Sequence, residues 1–526
     1  MRRRAVLLLI VGSLALGGLL LGQGGESYDV VIRNGRVLDG TGNPWQYADI
    51  GIRAGRIVAM GRLGQAESKV AIDAAGLLVA PGFIDVHTHA GPGLAGALNH
   101  AQPLLAQGIT TAIVNPDGGG PTDIAAQRAN YEKLGTGVNV AMFVPHGSVR
   151  QAVLGMADGA PNEAELARMV DLVRQGMKAG AIGLSSGLYY APGSYSPLEE
   201  VIAMARAAAE GGGAYQSHIR DESDYSIGLL ASIDEVIRVA EEAKLPGIVT
   251  HMKALGKTSW GMAAAAVMRV ENARARGVAV YADQYPYEAS STGLVGALVP
   301  RWAEVGGQDQ LRKRLDGQER EKLAADIRTN IERRGGPHTL FIARYEPDPS
   351  IEGKNLAQLA EAAGKAPDVV VMDLLRRGDA GVVSFNMNDR DIEQIMRQPW
   401  TMTCTDGDLV PMGEGKPHPR GYGAFARKLR VYVRERAVID WAFAVRSMTS
   451  LPATVYGMKD RGILAHNAWA DILLFDPEKI GDRATYQEPH QLSQGILYAL
   501  VNGELVIDQG RFTNKLPGKI VVPQRR

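Results

Sequence analysis

Strand-like runs alternate with alanine-rich, helix-like stretches through the middle of the chain, and this alternation most strongly constrains the fold. The eight runs lie at 83–89, 110–117, 139–147, 181–188, 213–219, 247–253, 278–285 and 401–406. Strands that are separated by helices favour a parallel sheet, and eight such units predict a closed (β/α)8 barrel of the TIM type. The alternation of strands and helices is interrupted at about 303–400, where charged helical sequence predicts an insertion before the last barrel strand.

The two ends of the chain have a different sequence pattern. Short alternating apolar runs follow one another from residue 28 to residue 80, with turn residues such as Asn34-Gly35 between them. Such turns are typical of β-hairpins. The same pattern returns in 464–520. We therefore predict a small β-sandwich domain built from 28–80 and 464–520, enclosing a barrel that spans 81–463.

The first 25 residues have the pattern of a targeting segment. Three arginines precede an apolar run from Ala5 to about Gly22, and small polar residues follow. This order predicts a signal peptide, and thus export to the periplasm or the extracellular space. The apolar run is near the minimum length for spanning a bilayer, so an uncleaved N-terminal membrane anchor is the alternative.

Composition excludes several other classes of protein. Among the 526 residues, Lys+Arg and Asp+Glu each number 57, so the net charge is zero and nothing indicates a nucleic-acid partner. Cys404 is the only cysteine, so neither an internal disulfide nor a thiolate metal cluster can form. The sequence does not indicate an oligomeric state.

Residues able to bind metal lie at the ends of the predicted strands. His87 and His89 stand two residues apart, so in an extended strand both point to the same face. Active sites of such barrels lie at the carboxyl ends of the strands. The residues predicted to meet there, all of a type that can bind metal or act as acid or base, are His87, His89, Asp117, His218, His251 and Asp406. We assign ordinary structural roles to the other strand-end or isolated histidines, His146, His100, His338, His466 and His490.

A set of longer motifs carries a family resemblance. Besides PGFIDVHTHA, they are GITTAIVNPDGG, GAIGLSSGLYYAPG, YQSHIRDES, VTHMKALGKTSWG, ADQYPYEASST, MTCTDGD and HPRGYGAFAR. In order and spacing the chain resembles the D-aminoacylase (N-acyl-D-amino-acid deacylase) family of the amidohydrolase superfamily over nearly everything after Tyr28. The resemblance implies a barrel enzyme that removes the N-acyl group from N-acyl-D-amino acids.

The resemblance also implies roles for the strand-end residues. His87 and His89 match the first-strand metal ligands, and His218 and His251 match the ligands of the tightly held metal. Asp406 matches the catalytic carboxylate, which would shuttle a proton between the attacking water and the leaving amine. The implied cofactor is Zn²⁺, as one or two ions, with other divalent metals as alternatives.

Substrate-binding positions follow from the same resemblance. Lys253, Arg420 and Tyr190 match positions that bind the substrate carboxylate. A small hydroxyl in EASST, Ser290 or a neighbour, is expected to join them. The expected partner is therefore a small N-acyl amino acid.

One position departs from the family pattern. The family typically has a metal-ligating cysteine in the loop after the second strand, and this chain has VNPDGGG there, with Asp117 at that position. A carboxylate can bridge two cations, but it is harder than a thiolate and accepts other divalent metals. The alternative is that Asp117 only closes the Pro-Asp-Gly turn.

Two other functions remain as alternatives. A cyclic-amide or dipeptide hydrolase of the dihydroorotase/hydantoinase kind would share the fold. Those enzymes usually carry a carboxylated lysine on a middle strand, and the fourth strand here, AIGLSSGL, has none. An exported binding protein without activity is the less favoured alternative, because every ligand-type residue is retained.

Overall fold

The computed structural model describes residues 27–524. The predicted signal peptide or anchor at 1–25 lies outside the described residues. Across the described part of the chain, no helix combines the length and the apolar character needed to cross a membrane.

Short strands and helices alternate along the described chain. The strands are β1 Tyr28–Val37, β2 Gln46–Arg53, β3 Arg56–Gly61, β4 Ser68–Asp73, β5 Leu78–Pro81, β6 Phe83–Asp85, β7 Ile109–Val114, β8 Asn139–Met142, β9 Val144–Pro145, β10 Gly183–Gly187, β11 Ala214–His218, β12 Gly247–Val249, β13 Val280–Gln284, β14 Ala289–Gly293, β15 Leu340–Arg344, β16 Gly381–Phe385, β17 Thr401–Thr403, β18 Ile472–Phe475, β19 Ile496–Val501, β20 Glu504–Asp508 and β21 Arg511–Phe512. The α-helices are α1 Gly91–Leu94, α2 Gln102–Leu105, α3 Ile124–Leu134, α4 His146–Leu154, α5 Glu163–Lys178, α6 Leu198–Glu210, α7 Leu229–Ala243, α8 Ala263–Ala275, α9 Leu294–Leu298, α10 Arg301–Glu304, α11 Gln308–Asp316, α12 Arg320–Arg333, α13 Leu356–Ala363, α14 Pro367–Arg377, α15 Asp389–Met396, α16 Arg420–Arg427, α17 Trp441–Met448 and α18 Ser450–Val455. A π-helical segment, Lys428–Glu435, continues α16.

The barrel prediction is confirmed. Strands β6, β7 and β8 pair in parallel, and so do β9, β10, β11, β12, β13 and β17. β8 and β9 are one strand interrupted at Phe143. The ring closes between the first and last strands, where the Asp406 amide donates to the His87 carbonyl at 2.8 Å. Each strand is short and fully or almost fully buried, as expected for a sheet covered on both faces.

Helices pack around the barrel in sequence order. α5 shows why these segments are helical. Asn162 caps its first turn in a capping box with Glu165, and Met169, Val173 and Met177 form a buried stripe at helical spacing. α5 packs on α6, α6 on α7 and α7 on α8, which fixes the loops that follow each strand.

The two chain ends form one β domain. Its nine-stranded sheet has the order β21-β20-β19-β18-β5-β1-β2-β3, and β4 also pairs with β1. Apolar residues from both ends, such as Ile32, Ile50, Ile472 and Leu500, are fully buried in a common core. The link β18–β5 therefore joins residues that are almost 400 positions apart.

A second small sheet lies between β13 and β17 in the chain. β14, β16 and β15 form an antiparallel sheet beside α9–α14, with a hydrophobic core of their own that includes Leu298, Leu315, Leu323 and Ile327. α15 instead packs against α8 and β13 of the barrel. The predicted insertion, at about 303–400, begins inside this segment and includes α15.

Candidate metal centre

Six side chains meet at the carboxyl ends of the barrel strands. They form two groups of possible metal ligands, and Asp117 belongs to both. The first group is His87, His89, Asp117 and Asp406, and the second is Asp117, His218 and His251. Within each group, the possible ligand atoms lie within 4.8 Å of one another. The structure thus brings together all six residues that the sequence predicts as ligands.

In the first group, two carboxylates face the paired histidines. His87 Nε2 lies 3.5 Å from Asp117 Oδ1 and 3.3 Å from Asp406 Oδ1. His89 Nε2 lies 3.4 Å from Asp117 Oδ2 and 3.3 Å from Asp406 Oδ1. A single cation between these atoms could meet all four side chains.

The second group shares one carboxylate oxygen with the first. Asp117 Oδ1 lies 3.8 Å from His218 Nδ1 and 3.6 Å from His251 Nε2. The same oxygen faces His87, so Asp117 stands between the two groups, as a bridging ligand must. These distances argue against the alternative in which Asp117 only closes its own turn.

The turn after β7 explains how Asp117 reaches this position. Its φ is +53°, in the left-handed region that Asp adopts more readily than most residues. Gly118 follows, also at positive φ, and a Cβ there would lie 2.9 Å from the Gly147 nitrogen and 3.0 Å from the Gly187 nitrogen. Three strand-end loops therefore pack too closely for any residue but glycine at this position.

Buried polar atoms without partners show that the groups fit a cation. His87 Nε2, Asp117 Oδ1 and both ring nitrogens of His218 are buried, and none has a hydrogen-bond partner among the described residues. Buried polar atoms are normally paired, because an unpaired one costs free energy. Nitrogen and carboxylate donors suit zinc and other divalent metals. The residues present therefore fit a divalent metal ion.

A hydrogen-bond chain orients His87. Thr250 Oγ1 donates its proton to Asp283 Oδ2 at 2.7 Å, so it can only accept from His87 Nδ1, at 2.8 Å. His87 Nε2 must then face the two carboxylates through a cation, either a proton or a metal. Burial lowers the pKa of His87, but Asp117 and Asp406 outweigh it and raise that pKa well above its usual value.

Asp283, which was not predicted as a site residue, belongs to the same chain of hydrogen bonds. Its other oxygen accepts the His251 backbone amide at 2.6 Å, so it fixes residues of both ligand groups. Groups that orient metal ligands commonly matter as much as the ligands do. A charged residue inside the buried run VAVYADQY was the signal that could have revealed it.

Asp406 is held as a carboxylate. Burial raises its pKa, but Arg420 and His251 hold it well below the usual range. Arg420 donates to Asp406 Oδ2 at 2.5 Å, which leaves Oδ1 toward His87 and His89. His418, also missed by the sequence analysis, accepts the Arg420 amide at 3.0 Å and so supports this arrangement.

Lys253, predicted to bind substrate, already has an acidic partner. Its Nζ donates to Glu222 Oε1 at 2.5 Å. Glu222, which the sequence analysis did not single out, also lies 3.1 Å from His251 Nδ1. Lys253 Nζ also donates to His251 Nδ1 at 2.6 Å. Both contacts engage Nδ1, which leaves His251 Nε2 toward Asp117. Its position four residues after His218 was the available sequence signal.

The remaining predicted substrate residues line the same cleft. Tyr190 and Ser290 border it together with Lys253 and Arg420. The Tyr190 hydroxyl lies 3.1 Å from Thr292 Oγ1, and Ser290 contacts Asn386. The cleft has a volume of about 1390 Å³ and opens above the metal-ligand groups. By contrast His146 is buried beside Glu200, at 2.9 Å, in keeping with an ordinary structural role.

The model of the amidohydrolase family matches residues 70–507, which is most of the chain. The chain belongs to the amidohydrolase family. An N-acyl-D-glutamate deacylase and a D-aminoacylase of Alcaligenes xylosoxydans xylosoxydans are similar to this amidohydrolase, with 34% and 31% identity. The alignments cover 94% of this chain, and 97% and 98% of those proteins.

A solved deacylase structure is also similar to this chain in fold and sequence. The N-acyl-D-glutamate deacylase of Bordetella bronchiseptica, complexed with zinc and a phosphonate inhibitor that mimics the tetrahedral intermediate, superposes with a TM-score of 0.81. The two chains are 33% identical, and the match covers 94% of this amidohydrolase and 99% of that protein.

Proposed function

We propose that this amidohydrolase is a zinc-dependent deacylase that hydrolyses N-acyl-D-amino acids to a carboxylic acid and a D-amino acid. The observation that carries the proposal is Asp117 Oδ1, which lies within 3.8 Å of His87, His218 and His251 and so joins two histidine groups at the barrel mouth. The similarity to deacylases, one of them complexed with zinc, supports the reaction and the metal.

When bound, the metal would lower the pKa of a bound water to near neutral, and it would also polarise the acyl carbonyl as a Lewis acid. The ligands would be the six strand-end residues, with Asp117 shared between the two groups. His87 is oriented by Thr250, and His251 by Lys253 and Glu222. These contacts turn one ring nitrogen of each histidine toward Asp117.

Asp406 moves the proton in this proposal. As a carboxylate beside both His87 and His89, it can accept the proton of the attacking water and deliver it to the leaving nitrogen. Without that protonation the amine would be a poor leaving group. Arg420 holds the second oxygen of Asp406 and so fixes the orientation of the oxygen that takes the proton.

The α-carboxylate of the substrate is assigned to Lys253, Arg420, Tyr190 and Ser290, which border the cleft. Each cation has further donors beyond the one that it gives to its acidic partner. A charge-assisted contact of this kind contributes about 1.5–3 kcal/mol.

The hydantoinase-like alternative is disfavoured by the fourth barrel strand. β10, Gly183–Gly187, has the sequence GLSSG and offers no lysine for carboxylation. Its Ser185 and Ser186 are instead engaged in hydrogen bonds within the barrel. A binding protein without activity is disfavoured because the chain retains every ligand-type residue together with Asp406.

We also propose that the enzyme is exported, on the evidence of residues 1–25 alone. Cell fractionation combined with N-terminal sequencing of the mature protein tests this. Release of a shortened chain is expected for a signal peptide, whereas a full-length chain in the membrane fraction indicates the anchor. A full-length chain in the cytoplasm would contradict both.

The function is tested by assaying zinc-loaded enzyme against paired N-acetyl-D- and N-acetyl-L-amino acids. Release of acetate from the D series, lost in metal-stripped enzyme and restored by zinc, is expected. Hydrolysis of cyclic amides in place of linear ones would favour the hydantoinase alternative. No hydrolysis of any amide by enzyme with full metal content would overturn the proposal.

A further inference from the structure

Arg334 is a buried cation in the cleft that has no acidic partner. It follows the last residue of α12 and is 2% exposed, yet it borders the cleft above the metal-ligand groups.

The hydrogen bonds of Arg334 all go to neutral groups. Its Nε donates to the Ala297 carbonyl at 3.1 Å, and its two terminal nitrogens donate to Ser384 Oγ and the Tyr189 hydroxyl, each at 3.3 Å. With the Asn386 amide turned to satisfy its neighbours, the Asn386 oxygen accepts from Arg334 at 3.2 Å and is likewise neutral. Since a guanidinium has five N–H donors, at least one donor stays free in either case.

The other cations of the cleft differ from Arg334. Lys253 pairs with Glu222, and Arg420 pairs with Asp406. Arg344 pairs with Glu346 at 3.1 Å, and Arg377 is exposed to solvent at the rim. Among the described residues that border the cleft, Arg334 is thus the buried cation without a carboxylate within ion-pair distance. Burying an uncompensated charge costs free energy, so such a residue in a ligand cleft indicates an anion that is supplied by the bound ligand.

The position of Arg334 relative to the metal ligands sets where that anion lies. The Tyr189 hydroxyl accepts from Arg334, and the Tyr189 ring stacks on the His218 ring with centroids 5.3 Å apart. One tyrosine therefore separates the guanidinium from the second ligand group. The α-carboxylate is already assigned to Lys253 and Arg420, so Arg334 is left for a different anionic group.

We propose that Arg334 binds a second carboxylate of the substrate and thereby selects N-acyl amino acids that are diacids. This rests on the proposed function. The second carboxylate can belong either to the amino-acid side chain or to the acyl group. Both sources share the chemistry of a carboxylate meeting a guanidinium, which pairs well with it in bidentate geometry.

The test compares acids with their uncharged amides of equal size. The side-chain pair is N-acetyl-D-glutamate and N-acetyl-D-glutamine, and the acyl pair is N-succinyl-D-alanine and N-succinamoyl-D-alanine. We expect kcat/KM of the native enzyme to favour the acid in one pair by about ten- to a hundredfold, the size of a charge-assisted contact. The pair that shows the preference identifies the source of the carboxylate.

Variants separate recognition from a structural role. Arg334→Gln should remove the preference by lowering kcat/KM for the acid while leaving that for the amide nearly unchanged. Arg334→Lys keeps the charge and should retain part of the preference. Arg333→Gln is the matched control: its guanidinium pairs with Asp224 at 2.6 Å, it does not border the cleft, and the preference should persist.

Three results would overturn the proposal. In the first, the native enzyme hydrolyses neutral substrates such as N-acetyl-D-leucine but prefers the acid in neither pair. This result would refute the role of Arg334 and leave the proposed function intact. Another is an equal loss of acid and amide hydrolysis in both Arg334 variants, which would make Arg334 a structural residue of the small sheet segment. The third is the absence of hydrolysis of every substrate, which would overturn the proposed function and this inference with it.

Discussion

Replacing Glu222 with glutamine should destabilise the protein strongly, because it leaves a lysine buried without its counter-charge. Glu222 and Lys253 are each 6% exposed at the side chain and lie 2.5 Å apart. At that distance and an effective dielectric constant of about 20, two unit charges attract by roughly 7 kcal/mol. The cost of desolvating both ions offsets much of this attraction, and removing one partner of such a pair typically costs about 3–5 kcal/mol.

The expected change in melting temperature follows from the size of the chain. With an unfolding entropy of about 2.1 cal/mol/K per residue, the 526 residues give roughly 1.1 kcal/mol/K when the chain unfolds as one unit. A loss of about 3–5 kcal/mol then lowers Tm by roughly 3–5 °C. Thermal unfolding followed by circular dichroism measures this shift.

An exposed pair of the same kind supplies the control. Lys69 and Asp29 lie 2.7 Å apart with side chains 77% and 37% exposed, so Asp29→Asn should lower Tm by less than about 1 °C. Both variants are also measured in chelator, because Glu222 lies 3.1 Å from His251 and its loss could act through metal affinity. If Glu222→Gln shifts Tm no more than Asp29→Asn in metal-free protein, the reasoning about the buried pair is refuted.

Three further predictions concern single residues. Asp406→Asn should keep its metal but lose about 10²–10⁴ in kcat, and normal turnover with full metal content would show that another group moves the proton. Asp117→Asn tolerates the same left-handed backbone but removes the carboxylate charge that the two ligand groups share. Because the His218 group would retain no carboxylate, metal analysis should show a deficit of metal there. An unchanged number of metal ions per chain would contradict the bridging role. Burial lowers the pKa of Lys428 to about 7, so the folded state releases a proton that the unfolded chain keeps up to about pH 10. Stability should therefore rise between pH 7 and pH 10, by up to roughly 4–5 kcal/mol, and Lys428→Met should abolish the rise in Tm across that range.

The sequence by itself determined the barrel and the side of it that carries the site. Runs such as ITTAIV, which became the fully buried β7, mark strands buried on both faces. Because parallel strands end at one edge, polar residues after separate runs, such as His87 and His251, had to converge there. Periodicity and burial are local properties, so a sequence pattern reveals them directly.

Only the tertiary structure decided which charges neutralise each other. Nothing local links Glu222 to Lys253, which lie on the loops after two different strands, and Asp406 meets Arg420 only because the connection between β17 and α16 folds back over the barrel mouth. The unpaired charge of Arg334 emerges only once the segment between β13 and β17 folds against Tyr189, 145 positions earlier in the chain. Electrostatic partners depend on distances of a few ångströms between residues far apart in sequence. Composition constrains only the sum of the charges, which is zero here, and chain packing sets their distances.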